Sequence, residues 1–278
     1  MVGPGLRGRP RNGRQQQAHG PVTGEASNRI TKRTSARGGS AQRSRRPNVQ
    51  KAYAPPEYPL KESVRFDSIQ EWEDGQSKLV NGIKQLNFYS DFPILDEHLN
   101  AIVNLGPAFC HSLLDFRAGD AEEGTGGRLS DAAVIRFAKA CPNLVHVKFD
   151  GATKLTDDAL LALFTNCPSL RYICFAGNDK ASGSLEGSAL DVLRETRTMG
   201  KELVKLRLTD HGCINKTLDA AVKALSKSRK KLPIEIGNTD ERDGEVNTWL
   251  GGKEKYGFQQ FGASGPFIQL GGYFGLNL

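Results

Sequence analysis

One stretch of this chain is written twice, 26 residues apart, and this repeat constrains the fold more than any other feature. The first copy begins with Leu-Ser-Asp-Ala-Ala-Val at Leu129 and ends with Cys-Pro-Asn-Leu at Leu144. The second begins with Leu-Thr-Asp-Asp-Ala-Leu at Leu155 and ends with Cys-Pro-Ser-Leu at Leu170. A period of about 20 to 50 residues predicts stacked units that bury their apolar sides against one another.

Each repeated unit contains a strand pattern followed by a helix pattern. In the strand, Val147 and Phe149 are two residues apart, so both side chains point to the same face. In the helix, Leu155, Leu160 and Leu163 form an apolar stripe along one side. One short strand and one helix per unit predict an α/β leucine-rich-repeat solenoid, with parallel strands on its concave side and helices on its convex side.

Polar residues at matching positions predict where the helices begin. Ser130 and Thr156 stand at the N-cap position, and Asp131 and Asp157 follow in the first turn, where the helix dipole favours negative charge. We therefore interpret the acidic pair formed by Asp157 and Asp158 as a helix start rather than as a catalytic acid and base.

The same spacing recurs more weakly outside the two clear copies, which gives five to six units between about residues 83 and 237. The register of one strand is undecided, because either Phe109 or the pair Leu114 and Phe116 fits its inward positions. In that unit Gly106 stands where the repeat otherwise has cysteine. The Gly- and Ser-rich insertions near 118–127 and 179–184 are expected to be surface loops.

The repeat resembles the cysteine-containing subfamily of leucine-rich repeats, through Leu-x-x-Val-x-Phe, Leu-Thr-Asp-x-x-Leu-x-x-Leu and Cys-Pro-x-Leu within residues 129–178. That subfamily occurs in F-box/leucine-rich-repeat ubiquitin-ligase adaptors and in antagonist-of-mitotic-exit-type proteins. The resemblance implies a ribonuclease-inhibitor-like horseshoe, and a role in ubiquitin-ligase substrate selection or in cell-cycle control. Residues 51–82 are too few for an F-box and lack its Leu-Pro opening, so such a role would need a separately supplied adaptor.

The positive charge of the chain is concentrated in its first fifty residues. Residues 1–50 contain ten Arg and Lys32 against Glu25, a net charge of +10, whereas the whole chain carries +7. Residues 51–278 therefore net to −3. Residues 1–50 also contain no Phe, Trp or Tyr, so they bury too little apolar area to offset the entropy of ordering. We predict a disordered basic arm over residues 1–55.

Two short motifs make this arm a candidate nucleic-acid binder. Arg7-Gly8-Arg9-Pro10 resembles the core of an AT-hook, and with Arg11 it supplies cations for a narrow minor groove. Arg37-Gly38-Gly39 resembles RNA-binding RGG segments. A nuclear import signal, non-specific attraction to polyanions, or no partner at all remain alternatives.

Several classes of protein are not expected. No apolar segment has the form of a secretory signal or the length of about 18 residues needed to span a bilayer. The five cysteines, at 110, 141, 167, 174 and 213, follow the repeat rather than a zinc or disulfide pattern. We expect no cofactor, no metal and no membrane association, and a nuclear or cytoplasmic location.

The cysteines also bear on catalysis. Cys141 and Cys167 occupy equivalent places in the two copies, so we interpret them as buried spacers at the helix-to-strand turn. A catalytic nucleophile would be unique, whereas these residues are repeated. We therefore predict that the protein is not an enzyme.

In a solenoid of this kind, the strand residues that point away from the helices form the natural ligand surface. An acidic peptide or protein is the expected partner, because cations surround a tyrosine on this surface and Tyr and Arg are common interface anchors. An ordinary solvated sheet face is the alternative. The candidate partner-binding residues are His146, Lys148, Tyr172, Lys205 and Arg207.

The flanks of the repeat region are assigned as caps. Residues 56–82 are predicted to be a linker and N-terminal cap, with a weak helix near 68–80 in which Trp72 covers the first unit of the solenoid at 83–240. Residues 241–278 are rich in Gly and aromatics and form either a C-terminal cap or a flexible tail, with a short helix favoured near 243–250 and disorder beyond.

The sequence thus predicts a non-enzymatic protein-recognition module with a basic arm. The alternative is a nucleic-acid-associated nuclear protein, in which the arm binds DNA or RNA and the solenoid recruits a partner.

Overall fold

A computed structural model describes residues 53–89, 91–178, 181–209, 216–238 and 244–259. The predicted arm up to residue 52, including Arg7, Arg9 and Arg11, lies outside the described residues, and so does Cys213.

Within the described residues, nine strands form one sheet, in which each strand lies beside the strands next to it in sequence. The first seven strands run parallel, and the last two are antiparallel to their neighbours. The strands are β1 (Ser63–Phe66), β2 (Gln85–Phe88), β3 (Asp115–Ala118), β4 (His146–Phe149), β5 (Tyr172–Ala176), β6 (Lys205–Thr209), β7 (Ile234–Asn238), β8 (Gly244–Leu250) and β9 (Lys253–Gln259).

At least one helix follows each of the first six strands, so the chain has the predicted α/β class. The long helices pack side by side in sequence order, an arrangement compatible with a solenoid. None of the described helices combines the length and apolarity needed to cross a membrane. The helices are α1 (Ile69–Gly75), α2 (Asp96–Asn104), α3 (Pro107–Cys110), α4 (Asp131–Ala140), α5 (Asp157–Asn166), α6 (Ser188–Glu195) and α7 (Lys216–Ser228).

The core lies between the helices and one face of the sheet. Val147 and Phe149 on β4 are fully buried, and so are Leu160 and Leu163 on α5. The apolar residues of the strand pattern and those of the helix pattern therefore face each other, as predicted. Aromatic rings link neighbouring units, because Phe116 on β3 lies 5.5 Å from Phe149 between ring centroids.

The predicted helix starts are confirmed at the two clear copies. The Ser130 side chain accepts a hydrogen bond from the backbone N–H of Ala133, and Thr156 accepts one from that of Asp158. Asp131 and Asp157 occupy the first helical position that follows each cap.

The strand that the sequence left open is β3, with Phe116 paired between Leu86 and Val147. Cys110 precedes Cys141 by the same interval that separates Phe116 from its strand partner Val147, so Cys110 fills the cysteine position of this unit. The assignment of Gly106 to that position was wrong, because the additional helix α3 intervenes between α2 and β3.

The repeat period of the two clear copies holds for only one step of the sheet, from Val147 on β4 to Ile173 on β5. Loops and the extra helix stretch or shorten the other steps, which is why the repeat weakens outside residues 129–178. The positions that are equivalent by strand register are Val64, Leu86, Phe116, Val147, Ile173, Leu206 and Ile234.

The inserted loop that follows β3 is packed closely against the next unit. Gly119 has φ +83°, and a Cβ there would lie 2.0 Å from the backbone oxygen of Asp150. Gly151 has φ +64°, and its Cβ would lie 2.3 Å from the backbone oxygen of Asp120. Only glycine fits at both positions, so the two loops hold each other in place.

The sheet begins one strand earlier than predicted. β1 precedes Trp72, and α1 lies inside the helical run predicted near 68–80. Trp72 is 5% exposed and packs against Phe66 of β1 and Phe88 of β2, with ring centroids 5.1 and 5.5 Å away. An aromatic cluster therefore closes this end of the core.

The prediction of a short helix near 243–250 was wrong, since β8 and β9 form an antiparallel hairpin there. Gly251 and Gly252 make its turn with φ of +62° and +77°, the positive values that a two-residue hairpin turn needs. Trp249 is 5% exposed and pairs opposite Ile234 of β7. Residues 260–278 lie outside the described part of the chain.

Candidate recognition surface on the polar face of the sheet

Two rows of mostly polar side chains cross the sheet on the face opposite the apolar core, here termed the polar face. Strand pairing places the members of each row in register. The first row is Ser63, Gln85, Asp115, His146, Tyr172 and Lys205, and the second is Arg65, Asn87, Arg117, Lys148, Cys174, Arg207 and Glu235.

Hydrogen bonds join the first four residues of the first row across four strands. The Ser63 hydroxyl donates to Gln85 Oε1 at 2.8 Å, and Gln85 Nε2 donates to Asp115 Oδ2 at 3.2 Å. Asp115 Oδ1 lies 2.8 Å from His146 Nδ1. These four residues therefore form one connected polar network rather than a set of independent contacts.

Asp115 is the centre of this network and is completely buried. Arg117 donates to both of its carboxylate oxygens, at 3.0 and 2.7 Å. Burial alone would raise the pKa of Asp115, but the hydrogen bonds from His146 and Arg117 outweigh it and lower that pKa. Asp115 therefore stays ionised on the polar face.

His146 was predicted to be an exposed partner-binding residue, and the structure corrects this prediction. The residue lies on the expected face but is only 2% exposed. Burial lowers its pKa despite the neighbouring carboxylate, so the imidazole is neutral near pH 7 and donates its Nδ1–H to Asp115. His146 therefore lies beneath the surface and supports the residues above it, rather than contacting a partner directly.

Three aromatic rings are stacked in the middle of the face. The rings of His146 and Tyr172 lie 4.5 Å apart at 11°. Tyr53, which comes from before β1, stacks on Tyr172 at 5.2 Å and on His146 at 6.2 Å, nearly parallel to both. Tyr172 thus lies where predicted, but its ring is already in contact with another part of the same chain.

The cations of the second row are paired with acids. Lys148 forms an ion pair with Asp150, and Asp150 also accepts a hydrogen bond from the Cys174 thiol at 3.3 Å. Cys174 is 2% exposed, so it lies beneath the surface rather than on it.

The two cations predicted on β6 lie beside an acid of β7. Lys205 Nζ lies 2.6 Å from Glu235 Oε1. Arg207 on β6 is in register with Glu235 on β7. The acids balance much of the basic character that the sequence suggested for this face.

Residues 53–59, here termed the strap, lie across the polar face. Tyr53 and Tyr58 are half-buried, whereas the residues between them, Ala-Pro-Pro-Glu, are exposed. Burial and the charge of Asp115 raise the pKa of Tyr58 to about 12. The charge of Asp115 raises the pKa of Tyr53 as well, after burial. Both tyrosines therefore lie near the centre of the first row.

A surface cleft of about 420 Å³ adjoins the rows at the carboxyl ends of β2, β3 and β4. Asn87, Arg117 and Lys148 of the second row contribute to its lining. Asp120, Glu122 and Glu123 of the inserted loop supply the acidic part of its wall. The cleft carries both signs of charge and is continuous with the polar face.

The cysteines of the repeat lie on the other side of the sheet, in the core. The Cys167 thiol lies 3.5 Å from the backbone oxygen of Cys141, and both residues are buried. Burial raises the pKa of Cys167 to about 12, so its thiol is protonated at neutral pH, unlike an activated nucleophile. Within the described residues, no three His, Cys, Asp or Glu side chains are grouped as a metal site would need.

The sequence did not indicate Asp115 or Tyr53, two of the residues that organise the surface. Asp115 was not recognised because the register of β3 was undecided. No local sequence pattern indicated the role of Tyr53, because its contact with Tyr172 lies several strands away from β1.

No protein-family model matches the chain, and no protein of curated function is recognisably similar to it. The resemblance to cysteine-containing leucine-rich repeats therefore rests on the repeat residues themselves.

Proposed function

We propose that this protein is a non-enzymatic recognition module that binds another protein through the polar face of its sheet. The strap is the observation that carries the proposal. An extended segment already lies on this face, and Tyr53 holds it by stacking on Tyr172. A face that accepts one peptide segment through aromatic stacking has the chemistry to accept another.

Within this proposal the architecture is a leucine-rich-repeat horseshoe with the polar face on its concave side. The sequential parallel strands and the buried cysteines at equivalent positions support that assignment. The resemblance adds a role in ubiquitin-ligase substrate selection or in cell-cycle control, in the nucleus or cytoplasm. A separate adaptor would have to supply the link to a ligase.

A charge swap tests the recognition surface without breaking an ion pair. The variant Lys205→Glu with Glu235→Lys keeps opposite charges at the 2.6 Å contact but reverses the pattern that a partner meets. Reversal of Lys205 alone, or of Lys205 with Arg207, is unsuitable, because it places carboxylates beside the buried Glu235 and would lower stability.

The measurement is affinity purification with the tagged full chain, followed by quantification of the proteins retained. We expect the charge swap to reduce the retained partner about tenfold or more, since wrong charges across an interface are strongly unfavourable. Lys139→Glu, on the exposed side of α4, is the matched control and should retain the partner. Equal retention by the swap and the control would exclude the polar face as the binding surface.

A second candidate function rests on the charge of +10 in residues 1–50. We propose that this arm binds nucleic acid, with Arg7, Arg9 and Arg11 as the candidates for minor-groove contacts. Affinity for duplex DNA should then fall steeply between 50 and 200 mM salt, by roughly tenfold or more, because neutralised phosphates release counterions. Deletion of residues 1–50 should abolish the binding. If the AT-hook motif contacts the minor groove, replacing the three arginines with alanine should selectively weaken binding to A·T-rich duplexes.

A further inference from the structure

The strap crosses most of the parallel sheet before the chain enters it. Tyr53 stacks on Tyr172 of β5, whereas Ser63 begins β1, four strands away in the sheet. Adjacent strands are about 4.8 Å apart, so the crossing covers about 19 Å. Ten residues span at most about 33 to 36 Å when fully extended, so an extended or mildly bent segment suffices.

Among the described residues, the strap is held by two of its side chains. Tyr53 and Tyr58 are half-buried, and the four residues between them are exposed. Within the described chain, no backbone group of residues 53–58 forms a hydrogen bond to the sheet. The prolines at 55, 56 and 59 have no N–H to donate, and they favour an extended conformation that costs little entropy on binding.

The contact at Tyr53 is also imperfect. Its hydroxyl is buried and has no hydrogen-bond partner among the described residues. A buried hydroxyl without a partner opposes the closed arrangement, whereas a phenylalanine ring at the same place would keep the stacking without that cost. The segment therefore has the features of a displaceable occupant rather than of a fixed part of the core.

From these observations we infer that the polar face over β3 to β5 is a groove for an extended, proline-rich segment of a partner protein that inserts an aromatic side chain onto Tyr172. The strap is the resident occupant of this groove and competes with the partner. The inference rests on the proposed function and gives it a ligand chemistry and a form of regulation. It also predicts that any treatment which releases Tyr53 increases the affinity for the partner.

The test uses the full chain and a labelled peptide with the sequence of residues 51–61 as the probe. An open variant, Tyr53→Ala with Tyr58→Ala, removes both anchors of the strap. A tethered competitor has an effective concentration in the millimolar range, so the open variant should bind the peptide about tenfold or more tightly than the native chain. Tyr53→Phe should bind it about fivefold or more weakly than the native chain, because the closed strap is then stronger.

Two controls show where the peptide binds. A peptide with alanine in place of its first tyrosine should lose affinity for the open variant, and this control requires no change in the protein. Adding Tyr172→Ala to the open variant should also abolish binding, and a urea unfolding curve shows whether that variant is folded.

The outcomes separate the proposals. Equal peptide affinity for the native chain and the open variant would overturn the inference, because the strap would not occupy the groove. If no variant binds the peptide while the charge swap still loses the partner, the recognition surface stands and the ligand chemistry is wrong. If neither effect occurs, both proposals fail. A dimer that depends on Tyr53, seen by sedimentation velocity, would make a second copy the occupant and would also overturn the inference.

Discussion

Asp131, at the start of α4, accepts two hydrogen bonds from Thr156, the residue that caps α5. The Thr156 backbone N–H donates at 2.8 Å and its hydroxyl at 2.7 Å. Asp96 of α2 accepts the same pair of bonds from Ser130, at 2.8 and 2.6 Å. Asp157 accepts bonds from three backbone N–H groups at the start of α6. In α2, α4 and α5, the first-turn acid therefore fixes the start of the next long helix.

Asp131→Ala should lower the free energy of unfolding by about 1–3 kcal/mol, because it leaves donors of the next unit without their acceptor. Asp158→Ala is the matched control, since Asp158 also lies in a first turn but is exposed. It should cost only about 0.3–1 kcal/mol through the helix dipole. Urea unfolding measures both, and equal losses would mean that the contact between units contributes nothing.

Leu160 and Leu161 are adjacent on α5 but differ in burial. Leu160 is fully buried and Leu161 only partly. Leu160→Ala should cost about 2–5 kcal/mol because it leaves a cavity in the core. Leu161→Ala should cost roughly 1 kcal/mol or less, in proportion to its smaller buried area. A reversed order of the two urea midpoints would contradict the helix orientation.

Stability should fall as the pH drops from 7 to 5. Burial lowers the pKa of His146 and of His98, so the unfolded chain takes up protons first. Their contribution to stability is complete above the unfolded pKa of about 6.5 and is lost as the pH falls below it. His146→Asn keeps a donor toward Asp115 but does not titrate, so it should reduce the slope of stability against pH.

Urea unfolding at pH 5, 6 and 7 measures this slope. The part of this slope that remains in His146→Asn should come from His98. The Nδ1 atom of His98 accepts a hydrogen bond from the Leu95 N–H at 3.0 Å and cannot do so when protonated. His111→Asn alters an exposed histidine and serves as the control. The same slope in His146→Asn and in the native chain would show that His146 is not the titrating group.

Arg229, which follows α7, holds the end of the preceding unit. It donates to the backbone oxygens of Leu193, Thr196, Met199 and Gly200, at 2.6–3.3 Å. Lysine lacks the planar fork that reaches several acceptors, so Arg229→Lys should cost about 1–3 kcal/mol. Arg197→Lys, at an exposed site, should be nearly neutral by the same thermal or urea measurement. A neutral Arg229→Lys would mean that water replaces these bonds.

Limited proteolysis tests the domain boundaries. The composition change near residue 50 predicts that the basic arm is removed first, and the continuous sheet predicts that a core from about 63 to 259 survives. Mass spectrometry of the fragments gives the boundary. Protection of residues 1–50 together with cleavage inside 129–178 would contradict the assignment.

The sequence predicted the parts of the fold that local periodicity encodes. The alternation at Val147 and Phe149 gave both the strand and its buried face, and the spacing of Leu160 and Leu163 gave the helix stripe. It did not determine β3, because Phe109 and Phe116 are both apolar and both buried. Which of the two belongs to the strand depends on the extra turn of α3, and no pattern of apolar residues predicts that turn.

The candidate site was predicted only as far as side-chain direction. Alternation put Lys148, Tyr172 and Lys205 on the polar face correctly. The burial of His146 depends on Asp115, which belongs to the preceding unit and meets it only through strand register. Such contacts between distant segments follow from the assembled sheet and not from any local pattern.

The two tryptophans of the chain lie at opposite ends of the sheet, Trp72 beside β1 and Trp249 on β8. Each strand meets only its neighbours in sequence, so either end of the sheet can lose structure before the other. Two variants with a single tryptophan, Trp72→Phe and Trp249→Phe, would give each end its own fluorescence signal. Denaturation followed in both would show from which end the array begins to come apart.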